Sequence, residues 1–287
     1  MGWYTAKMNG LSRVQKVREI ASQLLASAQV DGVLGLGEEH GHVGPRLFQN
    51  EADLATLALE PKYPLADICK LIQTRFPDSR LGIVVRGCDE RALIEMAKRE
   101  QVNLNRLTLI GVACTEDQAV ACRCRRPYPR RIDVGEKVEG VAPTVDENVR
   151  QLLEQSFGER MAFWHREFSK CIKCYGCRNV CPVCICDECI LEDELWVPPG
   201  LVPPDYASFQ LIRAYHISDK CIGCGECEAA CPMDIPLTRL YALVRETVKK
   251  LFDYEAGLDV AEPSPLATTL EETPLLETGE SEKWQTQ

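Results

Sequence analysis

Cys171, Cys174, Cys177 and Cys181-Pro182 form one C-x2-C-x2-C-x3-C-P run, and Cys221, Cys224, Cys227 and Cys231-Pro232 repeat it 50 residues later. Thiolates at this spacing do iron-sulfur chemistry. Three of them, two residues apart, wrap one corner of a cubane, and small intervening residues let the backbone donate hydrogen bonds to sulfur. The fourth follows a helical turn later and points at the other cluster. The spacing thus assigns Cys171, Cys174, Cys177 and Cys231 to one 4Fe-4S cluster, and Cys221, Cys224, Cys227 and Cys181 to a second. Zinc ribbons and buried free thiols are the alternatives. Zinc sites more often pair C-x2-C knuckles without the third cysteine and the C-P ending.

Eight further cysteines remain of the sixteen. Cys184, Cys186 and Cys189 continue the first block as C-x-C-x2-C. Earlier in the chain, Cys88 and Cys114 each follow an apolar run, and Cys122 and Cys124 come soon after. If the two runs are neighbouring parallel strands, both thiols meet at the carboxyl edge of the sheet, where open α/β sheets bind ligands. Cys88, Cys114, Cys122 and Cys124 then close a further cluster. Cys184, Cys186 and Cys189 hold another with a fourth ligand such as Cys69. One or two additional 4Fe-4S clusters fit the count, as does a single cluster bridging the two groups. Inert buried cysteine is the alternative for each set.

The elements that must position these thiols follow from periodicity. Residues 11–29 place Val14, Val17, Ile20, Leu24 and Leu25 on one helical face. A buried strand at 31–36, a Gly/His-rich loop at 37–44, a helix at 65–76, a strand at 81–86, a helix at 89–100 and a strand at 107–112 come next. Strands alternating with helices of this length predict an α/β domain with a mostly parallel sheet. A long helical pattern over 144–168, opening like a capping sequence, leads into the cysteine blocks. Between the blocks, residues 197–204 carry four prolines and predict an extended spacer. Residues 237–252 read as helix. The expected organisation is an α/β domain over 1–143, a dicluster ferredoxin-like domain with linking helices over 144–260, and an acidic tail over 261–287 that lacks the apolar surface to pack alone.

The formal net charge is −10. Residues 253–287 hold −8 of it, so the body lacks the basic face that nucleic acid needs. Sixteen cysteines in 287 residues fall below the roughly 8–10 % of small secreted disulfide scaffolds. The N-terminal segment has no apolar run of signal or membrane-spanning length, which predicts a cytoplasmic protein. Residues 35–44, rich in glycine with His40 and His42, do not form a Walker sequence and read as a turn. Arg123, Arg125, Arg126, Arg130 and Arg131 read either as a clamp on an anion or acidic partner, or as a solvated loop. Trp164 and His165 read as packing residues.

At Val30-Asp31-Gly32-Val33, Val85-Arg86-Gly87-Cys88-Asp89-Glu90-Arg91-Ala92-Leu93, Ile110-Gly111-Val112-Ala113-Cys114 and the fusion to 171–189, the chain resembles the β subunits of deazaflavin-coenzyme-reducing hydrogenases and related formate dehydrogenases. The stretch at 209–216 is similar to the branch with an added dicluster ferredoxin unit, associated with heterodisulfide-reductase-like complexes of anaerobes. The resemblance implies other subunits as partners, including a flavin- or metal-containing catalytic subunit. It also implies FAD beside the sheet in catalytic members, with a paired-glycine segment near the N-terminus. Residues 11–29 have no glycine and carry Arg13, Lys16 and Arg18. The leading expectation is therefore a non-catalytic iron-sulfur electron-transfer subunit of an anaerobic oxidoreductase complex. The alternatives are an FAD-containing β subunit exchanging hydride with a soluble coenzyme, and a scaffold whose clusters only stabilise the fold.

Overall fold

The computed structural model describes residues 2–141, 147–186, 188–205 and 208–266. The start of the helix expected at 144 and most of the acidic tail lie outside the described residues. Helix α1 (Gly2–Ala26) lays Val14, Val17, Ile20, Leu24 and Leu25 against Val33, Phe48 and Leu57 of the sheet. This is the apolar stripe read from the sequence, and burying it removes the stripe from water.

The sheet contains β1 (Gly32–Glu39), β2 (His42–Phe48), β3 (Leu57–Ala58), β4 (Leu81–Val85) and β5 (Leu107–Gly111). Its order is β2-β1-β4-β5, with β3 paired to β1 off that path. The β1–β4 and β4–β5 pairs are parallel, with Leu34 opposite Ile83 and Ile83 opposite Leu109. Helices α2 (Ala66–Arg75) and α3 (Gly87–Ala97) cover the face opposite α1. The central strands are thus covered on both faces, which is why β1 and β4 read as unbroken apolar runs. The antiparallel β2 and β3 extend the parallel core.

Two expectations are corrected. The loop at 37–44 is a β-hairpin: β1 pairs with β2 in register Glu39 with His42. Only His40 (φ 51°) and Gly41 (φ 77°) form the turn. Positive φ at both central residues is what a two-residue hairpin turn matching strand twist requires. The helix expected over 144–168 is two helices, α5 (Glu147–Glu154) and α6 (Phe157–Phe168). They part where Ser156 caps α6, its hydroxyl accepting from the Glu159 amide while the Glu159 carboxylate accepts from Ser156 N at 2.8 Å. That reciprocal capping box starts a new helix.

The α2/α3 side of the sheet does not end in solvent. Ile83, Leu93 and Met96 share one buried cluster with Cys181, Val183, Ile222, Val248 and Tyr254 from the cysteine-rich half. The chain also fastens itself back onto α3. Glu95, 1 % exposed, accepts from Tyr254 Oη at 3.0 Å and from Gly257 N at 2.7 Å. It is paired with Lys98 and Arg99, and Arg99 also reaches Asp219 at 2.9 Å. No helix among the described residues is long and apolar enough to cross a membrane.

Candidate metal centres

The two C-x2-C-x2-C runs fold alike. Lys173 and Gly223 both take positive φ (53° and 68°), as do Tyr175 and Gly225 (57° and 84°). Each run then enters a single-turn helix, α7 (Gly176–Asn179) or α9 (Glu226–Ala229). The left-handed residues at matching positions curl the chain so that successive cysteines face one centre. At Lys173 and Tyr175 this conformation costs about 1–2 kcal/mol each.

Cys171, Cys174, Cys177 and Cys231 line one cavity, and Cys181, Cys221, Cys224 and Cys227 line another. The fourth cysteine of each run thus sits with the other run's three. A third cavity is lined by Cys88, Cys114, Cys122 and Cys124. Cys88 lies in the first turn of α3, at the carboxyl end of β4, and Cys114 follows β5. Cys122 caps the short helix α4 (Glu116–Ala121). The loop is drawn back to the sheet by Cys114 N donating to Pro127 O at 2.7 Å. The cavities measure about 30, 460 and 210 Å³ respectively. The two larger ones exceed the space of a single water or ion. In the narrow one the assignment stands on its four cysteines rather than on volume. Among the described residues, no three His, Cys, Asp or Glu side chains converge tightly enough to hold a single metal ion.

The cavities run end to end. The N-terminal and central ones share Lys62, Cys122 and Cys224, and the central and distal ones share Arg213 and Tyr241. Lys62 Nζ donates to Cys224 O at 2.6 Å, pairs with Glu226 at 2.6 Å and approaches Cys122 Sγ at 3.9 Å. Arg91 donates to Cys124 Sγ at 3.7 Å and Arg245 to Cys221 Sγ at 3.6 Å. Gly223 makes room for the latter, since a Cβ there would lie 2.4 Å from Arg245 Nη1. These cations were not singled out from sequence, because each comes from an element remote from the cysteine it serves.

Burial pushes most of these thiols up, Cys224 to about 11 and Cys88 and Cys227 further. Desolvation penalises an isolated thiolate, and a bound metal reverses that by supplying the compensating charge. Cys184 goes the other way, down to about 6, because it accepts a hydrogen bond from Cys181 and faces Arg213. Cys184, Cys186 and Cys189 line none of these three cavities. Cys186 is exposed, and Cys189 packs with Leu191, Val197 and Phe209. Cys69 lies on the buried face of α2, its thiol pushed up to about 12 by burial.

Of the arginine island, Arg125 pairs with Glu246, Arg126 with Glu255 and Arg131 with Asp133. The chain's own acids hold most of the clamp. Trp164 stacks on Phe168 at 5.2 Å as a packing residue, whereas His165 lies on the exposed face.

Gly87, just before Cys88, has no room for a side chain: a Cβ would lie 2.4 Å from Tyr128 O and 2.7 Å from Arg126 O. Gly87→Ala is expected to displace the backbone that follows Cys124 and to destabilise the protein by about 1–3 kcal/mol, the range for overpacking. Equilibrium unfolding in urea measures it. An unchanged midpoint would mean that this loop yields freely.

Residues 168–184 and 214–236 each match the 4Fe-4S binding domain family. The chain is similar to the F420-dependent formate dehydrogenase 1 subunit beta of Methanococcus maripaludis, 38 % identical over 357 aligned positions that cover 87 % of this chain and 92 % of the relative. It is also similar to the F420-dependent formate dehydrogenase subunit beta of Methanocaldococcus jannaschii, 37 % identical over 142 residues. That alignment covers 49 % of this chain and 37 % of the relative, so the chain spans about a third of the latter's length.

Proposed function

Because the chain belongs to the family of F420-dependent formate dehydrogenase β subunits, we propose that it carries single electrons between a catalytic subunit, of formate-dehydrogenase type, and a second electron carrier, through three 4Fe-4S clusters in a row. An iron-sulfur electron-transfer subunit of an oxidoreductase is what the relatives and the two 4Fe-4S matches establish. The finer reading rests on one observation: three cavities, each lined by at least four cysteines and the N-terminal and central ones sharing Cys122 and Cys224, adjoin end to end.

Cys171, Cys174, Cys177 and Cys231 hold the distal cluster in this reading. Cys181, Cys221, Cys224 and Cys227 hold the central one, and Cys88, Cys114, Cys122 and Cys124 the third. When bound, each cluster accepts and gives up one electron, at a potential set by charge, hydrogen bonds to sulfur and exposure. The protein's own residues supply those terms. Arg91, Arg245 and Lys62 hold positive charge within 4 Å of cysteine sulfur, and Cys181, Val183, Ile222 and Cys224 of the central site pack into the apolar core shared with β4 and α3. Cys184, Cys186 and Cys189 are left as candidates for a fourth cluster that needs a ligand from elsewhere. No acid–base pair is required.

Anaerobic reconstitution followed by iron, sulfide and flavin analysis tests the reading. About twelve iron and twelve sulfide per chain are expected, four per cubane. A plateau at about eight would remove the N-terminal cluster. FAD bound in equal proportion to the chain would move the reading to a β subunit that exchanges hydride with a coenzyme.

A further inference from the structure

We propose that Arg213 is the cation that sets the reduction potentials of the distal and central clusters together; this rests on the cluster reading above. The residue lies on helix α8 (Ser208–His216), one position before the second segment that matches the 4Fe-4S family. It therefore belongs to neither cysteine run. Its side chain is 3 % exposed and lines both cavities.

Its contacts fix it without neutralising it. Nη2 donates to Cys177 O at 2.6 Å and approaches Cys184 Sγ at 3.8 Å, and Nη1 donates to the Tyr241 hydroxyl. The guanidinium carbon stands 5.2 Å from the centre of the Tyr241 ring. Among the described residues, no carboxylate pairs with it, and its Nε has no hydrogen-bond partner. Neighbouring Gln210 is buried too, beside the distal cavity and against the Cys171 thiol.

An unpaired guanidinium in a protein interior is costly unless negative charge faces it. Lys62, by contrast, has Glu226. Burial works against the charge of Arg213, and Tyr241, Cys181, Cys184 and Cys177 work for it; with clusters bound, the negative charge facing it is that of the cysteine thiolates, Cys177 on the distal side and Cys181 on the central side. A four-thiolate cubane becomes more negative by one on reduction, so a fixed cation nearby stabilises the reduced state and raises the potential. Set between two clusters, one charge acts on both.

The test is a potentiometric titration of the full, iron-loaded chain, with EPR resolving the separate clusters. Arg213→Gln is expected to lower the midpoints of the distal and central clusters, each by about tenfold in reduction equilibrium, or 59 mV for one electron, and to leave the N-terminal cluster in place. Arg213→Lys keeps the charge and should lose less. Tyr241→Phe frees the guanidinium and should shift the same two midpoints in the same direction by a smaller amount. Full iron content with unchanged midpoints in Arg213→Gln overturns the proposal. So does loss of iron in that variant combined with wild-type midpoints in an iron-loaded Tyr241→Phe, because the role is then purely structural. Wild-type chain that binds no iron fails the cluster reading itself, before any variant is compared.

Discussion

Cys231→Ala is expected to remove the cluster built on Cys171, Cys174 and Cys177 and to spare the one built on its own run. The chain should lose about four of its iron atoms, one cubane's worth, together with one set of EPR signals. The reason is where the fourth cysteine of each run lies: Cys231 lines the cavity of the first three cysteines, while Cys181 lines that of Cys221, Cys224 and Cys227. Cys181→Ala should give the mirror result. Loss of the signals from the Cys221 group in Cys231→Ala would reverse the assignment. Simultaneous loss of all clusters would mean that each run needs the other in order to fold.

Glu95→Gln should destabilise the protein by about 3–5 kcal/mol, the cost of leaving buried charge without its partner. The carboxylate is 1 % exposed, sits between Lys98 and Arg99, and accepts from Tyr254 and Gly257. Glutamine keeps the shape and can still accept, but it leaves Lys98 without its counter-charge in a site where that side chain is only 5 % exposed. The urea midpoint of the iron-loaded chain, compared at equal slope, measures the loss. Trypsin should also cut the C-terminal segment faster. A midpoint within error of wild type would show that Tyr254 and Gly257 stay in place without the charge.

Much of this was legible in order, because the relevant signals are local. The stripe from Val14 to Leu25, the apolar runs that became β1, β4 and β5, and the pairing of Cys88 with Cys114 at one sheet edge all follow from periodicity and the parallel crossover. The spacing of the runs also points to the places of Cys181 and Cys231, each lining the other run's cavity. The hairpin at His40-Gly41 was hidden because Gly37, Gly41 and Gly44 weaken any strand pattern, although two positive-φ residues between paired strands are its ordinary signature. The break at Ser156 was hidden because apolar residues continue on both sides, and only the Ser156–Glu159 pair marks it. Arg213, Arg245, Arg91 and Lys62 had no local signal at all. Each is an ordinary cation in its own element, and only tertiary packing brings it to a sulfur. For Cys184, Cys186 and Cys189 the close spacing raises the idea of a further cluster, but Cys186 is exposed and Cys189 is partly buried beside Leu191, Val197 and Phe209, so the fourth ligand has no local signal.

The cluster of side chains that runs without interruption from Ile83 and Leu93 to Ile222 and Val248 bears on kinetics. Carriers that meet through a hinge or a tethered domain pass charge only as often as the tether swings, and their rates fall as the medium thickens. In the proposed row the first two cavities share Lys62, Cys122 and Cys224 within one packed body, close-packed and of low compressibility on the time average. Traffic along the row should therefore be indifferent to glycerol or sucrose, with any dependence on viscosity confined to the two ends, where separate molecules must arrive and leave. Flash reduction at one end in media of graded viscosity would separate the two regimes: a fast internal phase of constant rate, and a slower phase that scales with diffusion.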